Sequence, residues 1–211
     1  MGRPRPTEFS SVGLTAIDKL PVPGPVEVRD PGDLAAGSGL AGDQVCDRRF
    51  HGGSDQAVYA YAREDLDAWE YELGRPLPDG IFGENLTTVG LDVTGALIGE
   101  RWRVGERCVL EVSAPRIPCR TFAAWLAEQN WMRRFTERAQ PGAYLRVITA
   151  GAVCAGDPVA VVRRPEHDVT IRLAFRSMTT RSELLDRIAA AEPALSATLR
   201  RRVQRRAART P

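Results

Sequence analysis

The stretch from residue 106 to residue 122, ERCVLEVSAPRIPCRTF, combines the patterns of a strand, a stiff loop and the beginning of a helix. From Cys108 to Val112 apolar side chains recur at every second position, which is the period of a half-buried strand. Pro115 and Pro118 then each fix one backbone φ angle, so the loop before Cys119 has little freedom. We predict that this stretch runs from a strand of a sheet, through a rigid loop, into a helix.

Short apolar runs bounded by glycine, proline or aspartate recur through residues 1–165 and predict further strands. Their spacing favours a closed or strongly curved sheet. Two helices interrupt this pattern, one at Arg63–Leu73, which Gly74 would terminate, and one from Thr121 to about Ala139. The predicted strands are residues 57–61, 96–104, 108–112, 144–148 and 159–162.

Residues from about 166 onward lack these strand patterns and have the spacing of helices. Thr180 and Glu183 fit a capping box at the start of one helix, and Pro193 fits the first turn of another. We therefore predict a mainly β (α+β) fold. In this organisation residues 1–165 form a β-barrel domain with interspersed helices, and residues 166–211 form a small C-terminal helical domain.

The composition of the 211 residues is that of an ordinary globular protein, with 43% apolar and 27% charged residues. No apolar run approaches the roughly 18 residues that a membrane span requires, and the N-terminal segment lacks the apolar region of a secretory signal. We expect a cytoplasmic protein with no membrane partner. Four cysteines are too few for a disulfide scaffold in a chain of this length, so reduced thiols are expected.

Cys119 has the sequence environment of a reactive thiol. Arg116 and Arg120 flank it, and the partial positive charge of a helix N-terminus adds to theirs. These influences favour the thiolate, which serves as a nucleophile, a redox group or a ligand for a soft metal. The alternative is an inert cysteine in a loop.

His51 and Lys19 are the other candidate catalytic residues. His51 precedes Gly52 and Gly53, whose backbone permits the close approach of a ligand, and a histidine there can bind a phosphate, ligate a metal or transfer a proton. Lys19 is the only lysine in a chain whose other basic residues are arginine, which suggests that the position requires a compact, proton-exchangeable amine. A turn histidine and a lysine retained by chance are the alternatives.

Further polar groups lie in segments that are otherwise apolar or rich in glycine. Glu84 and Asn85 follow Phe82 in a strand-like run, where such side chains are disfavoured unless they have partners. Asp43 follows Gly42 in a similar position. Each feature by itself is common in turns. The sequence contains no Walker A motif, no dinucleotide-binding fingerprint and no His-Glu-x-x-His zinc motif.

Four segments in this order resemble the MOSC domain, a family named for the C-terminal domain of molybdenum-cofactor sulfurases. The set is more specific than any one segment, and the resemblance extends over roughly residues 13 to 205. Within the family the chain is similar to the free-standing YiiM type, whose three-helix C-terminal extension would correspond to residues 166–211. The segments are LAGD at 40–43, FHGGSD at 50–55, FGENL at 82–86 and PRIPC at 115–119.

The resemblance implies a β-barrel that binds the molybdenum cofactor, a molybdopterin bearing a phosphate. Binding of pyridoxal phosphate is associated with the family as a whole. The resemblance also implies that Cys119 is the molybdenum ligand or a sulfur carrier, and that Lys19 and His51 are catalytic. The residues expected to neutralise the cofactor, hold its pterin edges, shape the barrel mouth or allow close approach are Arg116, Arg120, Asn85, Glu84, Gly52, Gly53 and Asp43.

The activity that the resemblance implies is that of a molybdenum-dependent oxidoreductase. It would reduce N-hydroxylated compounds, such as hydroxylamino purines, to amines and so serve in detoxification. The first alternative is a cofactor or sulfur carrier that uses a Cys119 persulfide and turns over no substrate. The second is a binding module that has lost the cofactor.

The net charge of +2 is unevenly distributed. From Arg176 onward nine arginines stand against three acidic residues, a surplus of +6, so the rest of the chain carries −4. We interpret the tail either as a solvated pair of amphipathic helices or as a docking surface for an acidic electron-donor protein, with a small molecule as the substrate. Nucleic acid is not expected as a partner, because the tail lacks interleaved aromatic residues.

Overall fold

A curled six-stranded sheet, open as a half-barrel, forms the centre of the molecule, which a computed structural model describes at residues 1–33 and 37–208. Two two-stranded sheets accompany it in these residues. This architecture confirms the predicted α+β class with a strongly curved sheet. The strands in the described part of the chain are β1 (Arg5–Pro6), β2 (Leu14–Thr15), β3 (Val26–Val28), β4 (Val58–Ala62), β5 (Leu86–Thr88), β6 (Arg101–Val104), β7 (Cys108–Pro115), β8 (Ala143–Thr149), β9 (Gly151–Val153) and β10 (Val159–Arg163).

The strands of the large sheet lie in the order β10, β6, β7, β8, β4 and β5. Neighbouring strands are antiparallel except β4 and β5, which are parallel. The register between β7 and β8 shifts twice, and such irregularities increase the local bend of a sheet. β7 ends at Pro115, which is where the rigid loop before Cys119 begins.

Four of the five predicted strands are present as β4, β7, β8 and β10, with bounds shifted by a few residues. The prediction was wrong for the first half of residues 96–104, where only β6 is a strand. The Ile98 N–H donates to the Val169 carbonyl, and the Ile171 N–H donates to the Ala96 carbonyl, each at 2.9 Å. This segment therefore pairs with the chain that leads into the C-terminal helices and does not extend β6.

The helix predicted at Arg63–Leu73 is confirmed with the same bounds, and Gly74 ends it in the left-handed conformation. None of the helices in residues 1–33 and 37–208 has the length and apolar character that crossing a membrane requires. In this described part of the chain the helices are α1 (Arg63–Leu73), α2 (Arg120–Leu126), α3 (Trp131–Arg138), α4 (Ile171–Thr179), α5 (Leu185–Ile188) and α6 (Ala197–Ala207).

The single helix predicted after Thr121 is wrong, because α2 and α3 are separate helices. Ala127 and Asn130, both in the left-handed conformation with φ of 55°, reverse the chain between them. The reversal brings aromatic side chains of both helices together, with the ring centroids of Phe122 and Trp131 5.4 Å apart. Burial of such rings outweighs the cost of about 1–2 kcal/mol for each left-handed residue.

Two predicted helix starts in the C-terminal region are also wrong. Thr180 follows the last residue of α4, and the chain then passes through a 3-10 turn at Ser182–Leu184 before α5 begins. α6 begins after Ser196, whose hydroxyl accepts a hydrogen bond from the Leu199 N–H, and not at Pro193. A serine at this position satisfies an N–H group that has no partner within the helix, which a proline side chain cannot do.

Two clusters of buried side chains form the core. The larger is shared by the sheet and the C-terminal helices, since Val112 and Leu145 pack in it together with Ile171, Ile188 and Leu199. The smaller is aromatic and includes residues of α1, α2 and α3. The C-terminal helices thus bury their apolar faces in the core of the sheet. The division of the chain at residue 166 into two domains stays a prediction.

Candidate functional site

Lys19, Asp43 and Asn85 form a polar network beside β4. The Lys19 Nζ donates to both carboxylate oxygens of Asp43, at 2.7 and 2.6 Å, and the Asn85 Nδ2 donates to Asp43 at 3.0 Å. The Asn85 amide oxygen accepts from the Tyr59 N–H of β4 at 3.0 Å. The side chains of Lys19 and Asp43 are only 9% and 1% exposed. The fold therefore brings together three predicted site residues from separate segments.

The Lys19–Asp43 ion pair is buried but well compensated. Burial alone would raise the pKa of Asp43, yet the Lys19 ammonium, together with hydrogen bonds from Lys19, Gly2 and Ser38, holds it below its ordinary value. Either partner alone would be a buried, uncompensated charge, which is strongly destabilising. The amine of Lys19 is consequently fixed in position by Asp43.

Glu84 supports the loop that packs on Lys19. Its buried carboxylate accepts hydrogen bonds from the N–H groups of Gly80 at 2.6 Å and Phe82 at 2.9 Å. Burial raises the pKa of Glu84, although these amides oppose the shift. A Cβ at Gly80 would lie 2.3 Å from the Lys19 carbonyl oxygen, so the loop touches the Lys19 backbone. Both Glu84 oxygens thus accept hydrogen bonds from the protein itself. A direct contact of Glu84 with a cofactor stays a prediction.

Arg116 is buried behind the site. Its guanidinium carbon lies 3.6 Å from the ring centroid of Phe122 and 5.4 Å from that of Tyr59, and its Nη1 donates to the Phe82 carbonyl at 2.7 Å. Burial by itself would lower the pKa of Arg116, but Tyr59 and, more weakly, Cys119 are among the groups that raise it above its ordinary value. Arg116 is therefore a fixed positive charge within electrostatic reach of the Cys119 thiol.

Cys119 occupies the N-cap position of α2, between the sheet and the helix, as the strand–loop–helix pattern predicts. The residue is half-buried and packs against the smaller, aromatic core cluster. Arg120 begins α2 and is exposed. Of the two arginines that flank Cys119, Arg116 is held in the interior and Arg120 lies on the surface.

The other cysteines differ from Cys119. Cys108 is buried in β7, and burial raises its pKa to about 11. Cys154 is exposed at a turn. Cys46 is half-buried, and burial raises its pKa while Lys19 and Arg48 oppose the shift. The structure thus places Cys46 within electrostatic reach of Lys19, although its sequence context assigned it no role.

His51 lies in the same electrostatic neighbourhood. The backbone N–H of His51 donates to the backbone carbonyl of Asp47 at 3.2 Å. Desolvation by the surrounding protein is the main cause that lowers the pKa of His51, although the residue keeps exposed surface. The Arg116 guanidinium and the Lys19 ammonium lower it further, whereas Asp47 opposes them. Two predicted cations of the site therefore act on the predicted histidine.

We expect His51 to be neutral at pH 7 and to titrate below its ordinary value of 6.5. Because the unfolded chain binds this proton more readily, folding stability falls as the pH drops below about 6.5 and levels off below the folded-state pKa. The chain has two histidines, so ring NMR signals followed from pH 8 to pH 4 resolve both, and His167→Gln assigns them. A His51 midpoint at or above 6.5 would contradict this expectation.

Gly52 and Gly53 adopt conformations that suit glycine. Gly52 has φ of +95°, and a Cβ there would lie 2.5 Å from the Gly37 carbonyl oxygen. Gly53, with φ of 75° and ψ of 175°, donates its N–H to the same oxygen at 2.9 Å. The loop that carries His51 therefore packs on the backbone of Gly37. Close approach of these glycines to a cofactor stays a prediction.

Gly52→Ala is expected to destabilise the protein more than Gly90→Ala. Both glycines have positive φ, but a Cβ at Gly90 would meet no atom within 4 Å. The shared conformational cost is about 1–2 kcal/mol, and the clash at Gly52 adds about 1–3 kcal/mol. Urea unfolding curves of the two variants measure the difference. Equal midpoints would show that the loop at His51 rearranges to accept the Cβ without loss of folding free energy.

A cavity of about 160 Å³ beside the Lys19–Asp43 pair was not predicted. Residues 37–43 line it together with Arg29, Val45 and Arg48. Three glycines within residues 37–43 indicate a segment whose backbone a ligand could approach, but only the fold places Arg29 beside them. Glycine-rich backbone next to guanidinium groups suits an anionic ligand.

Comparisons with known proteins identify the family of the chain. A family model described as the MOSC domain matches residues 47–160, slightly more than half of the chain. The protein YflK of Bacillus subtilis (strain 168) is 32% identical over 177 residues, which cover 83% of this chain and 76% of YflK. A protein of Gibberella moniliformis (strain M3125 / FGSC 7600) that is named a reductase is 28% identical over 179 residues, which cover 83% of this chain but 30% of that protein.

The fold also has a close counterpart among solved structures. The crystal structure of YiiM from Geobacillus stearothermophilus superposes with a TM-score of 0.76 at 29% identity, and the match covers 97% of this chain and 94% of YiiM. The region matched by the family model contains His51, Glu84, Arg116 and Cys119. The curled sheet, the loop before Cys119 and these similarities lead to one conclusion: the chain belongs to the MOSC domain family and is similar to YiiM over nearly its whole length.

Proposed function

We propose that the protein is a molybdenum-cofactor-dependent reductase that converts N-hydroxylated compounds to amines. The reaction is R–NHOH + 2 e⁻ + 2 H⁺ → R–NH₂ + H₂O. The observation that carries the proposal is the half-buried Cys119 at the N-cap of α2, at the end of the short loop that also carries the buried guanidinium of Arg116. Membership of the MOSC family and similarity to a protein named a reductase support it.

The residues present fit the molybdenum cofactor. A soft thiol that is neither fully buried nor fully exposed suits a metal that already has sulfur ligands of its own. The buried Gln56 Oε1, which has no donor among the described residues, offers an acceptor near the His51 loop.

The chain's own residues would hold and neutralise this anionic group. Cys119 would bind the metal, and Arg116 would stabilise the negative charge of the thiolate from its buried position. Arg29 and Arg48, in the small cavity at residues 37–43, would bind the cofactor's phosphate. When bound, the cofactor supplies the two electrons and the acceptor for oxygen.

His51 and Lys19 would transfer the protons that the reaction consumes. A histidine that is neutral at pH 7 can accept a proton or a hydrogen bond, while the Lys19 amine, held by Asp43, can donate one to the substrate oxygen. Lys19→Arg tests this division of roles. We expect lower kcat with a retained cation, because a planar guanidinium cannot reproduce the compact donor. Undiminished activity would mean that any cation suffices.

Two measurements on protein made in a host with intact cofactor synthesis test the proposal. Elemental analysis is expected to find about one molybdenum per chain, and 6-hydroxylaminopurine is expected to be reduced to adenine with an artificial electron donor. Molybdenum without turnover would favour the alternative of a carrier that uses a Cys119 persulfide. Protein without molybdenum would favour a binding module that has lost the cofactor.

We also propose that an acidic electron-donor protein docks on α6. The support is the row of exposed arginines Arg201, Arg202 and Arg205, whereas Arg200 and Arg206 are paired with acidic side chains. Complementary charge would speed encounter and make it sensitive to salt. Replacing the three exposed arginines with glutamine is expected to slow reduction by an acidic flavoprotein or ferredoxin but not by a small artificial donor. Equal slowing of both would contradict the docking surface.

A further inference from the structure

A cavity of about 560 Å³ lies between the N-terminal hairpin formed by β1 and β2 and the helix α2. This volume is within the range of small-molecule sites, roughly 300–1,000 Å³. None of the residues that would hold the cofactor lines this cavity. Its lining includes Arg5, Glu8, Phe9, Thr121 and Trp125.

The hairpin spans from the helix that begins next to Cys119 to the loop that carries His51. On one side, the Thr121 hydroxyl on the first turn of α2 donates to the Phe9 carbonyl at 3.1 Å. On the other side, the Ser11 hydroxyl donates to the Asp47 carboxylate at 2.7 Å, and Asp47 is one of the charges that act on His51. The hairpin that walls the cavity therefore contacts both the helix that follows Cys119 and the segment that precedes His51, although neither Cys119 nor His51 lines the cavity.

The walls of the cavity present flat aromatic and charged surfaces. Phe9 is 49% exposed at the hairpin loop. The half-buried indole of Trp125 is fixed in orientation, because its N–H donates to the Ile81 carbonyl at 2.8 Å. The Arg5 guanidinium, which is paired with Asp18, lies 5.9 Å from the centroid of the Trp125 ring.

Glu8 gives this surface a directional preference. Its carboxylate is exposed in the cavity wall and can accept hydrogen bonds but cannot donate them. Aromatic rings and a guanidinium favour a flat π-system, since bases stack on both kinds of surface. A planar ring that carries N–H donors at its edge satisfies both requirements, whereas a carboxylate or phosphate ligand would be repelled by Glu8.

We propose that this cavity is the substrate-recognition site and that it binds a planar, uncharged nitrogen heterocycle whose edge N–H groups face Glu8. The identity of the reacting group rests on the proposed function, so the exocyclic N-hydroxylamino group would point toward Cys119. Phe9 and Trp125 would then determine which substrates are accepted, and they would contribute nothing to the transfer of electrons.

Fluorescence and kinetics on the same preparation test this site. Trp69, Trp102 and Trp131 are fully buried, so a ligand in the cavity is expected to quench the emission of Trp125 first. Adenine, which has no N–O bond, serves as the probe. We expect Phe9→Ala to raise the Kd of adenine about tenfold, the scale of loss when a base-stacking ring is removed. Tyr71→Ala on α1, where the tyrosine is 93% exposed, is the matched control and should leave the Kd unchanged.

The kinetic arm separates this site from the proposed function. Phe9→Ala and Glu8→Gln are expected to raise KM for 6-hydroxylaminopurine and to leave the kcat/KM of hydroxylamine, which has no ring, unchanged. Adenine binding that is weakened by Phe9→Ala supports the site even if no reduction occurs, and the reductase alone is then wrong. Reduction of the purine with a KM insensitive to both variants overturns the site and leaves the reductase in place. Absence of adenine quenching in the wild-type protein also overturns it.

Discussion

Cys119→Ser is expected to leave the protein folded but without molybdenum, and to lower its reductase turnover by more than about a hundredfold. Loss of a residue that merely supports a metal ligand costs roughly 10- to 100-fold, and Cys119 would be the ligand itself. A serine hydroxyl is a hard, weakly acidic group that binds a soft metal poorly. Elemental analysis, near-UV circular dichroism and steady-state kinetics on the same sample measure the three effects.

Cys154→Ser is the matched control, since that thiol is exposed at a turn between β9 and β10. It should keep both the metal and the activity. A Cys119→Ser protein with full metal content and full turnover would remove Cys119 from the chemistry. Metal retained without turnover would instead give Cys119 a role in the reaction but not in holding the cofactor.

Asp43→Ala is expected to destabilise the protein by about 3–5 kcal/mol, the largest effect on stability that we predict. The substitution leaves the Lys19 ammonium, whose side chain is only 9% exposed, without its carboxylate. It also removes the acceptor for the Asn85 amide and the Gly2 N–H. The midpoint of urea unfolding, at unchanged m-value, measures this loss.

Two further variants show whether burial is the cause. Glu137→Ala breaks the Arg133–Glu137 pair on α3, which is exposed on both sides, and is expected to have little effect on stability. The double variant Lys19→Met/Asp43→Leu is expected to recover much of the stability lost in Asp43→Ala, because it removes both buried charges. A double variant that is less stable than Asp43→Ala would contradict this explanation.

The elements that sequence patterns predicted well are those whose periodicity is long and uninterrupted. α1 is confirmed with its exact bounds because its apolar spacing ends at a glycine that can adopt the left-handed conformation. β7 extends to Pro115, so Cys119 lies between strand and helix as predicted. The single helix predicted after Thr121 was wrong, because Trp131 of α3 packs against Trp69 and Phe82, which lie far from it in the chain.

The candidate site was predicted only in part, for a related reason. The sequence indicates which residue types are unusual at Lys19, His51 and Cys119, but it contains no distances between them. Only the fold places Lys19 against Asp43 and buries Arg116 beside Phe122. A side chain can be recognised as chemically suited to a role from its neighbours in sequence, whereas its partners come from elsewhere in the chain.

By itself, the sequence determined the α+β class and the stiff approach to Cys119, because both depend on residues close together in the chain. The order of four separate segments determined the resemblance to the MOSC family. The tertiary structure decided which polar groups are occupied within the protein and which face a cavity. Glu84 is an example, since its carboxylate turns inward to the amides of Gly80 and Phe82. Burial and electrostatic environment are properties of the surroundings in space, and chain-distant segments supply those surroundings.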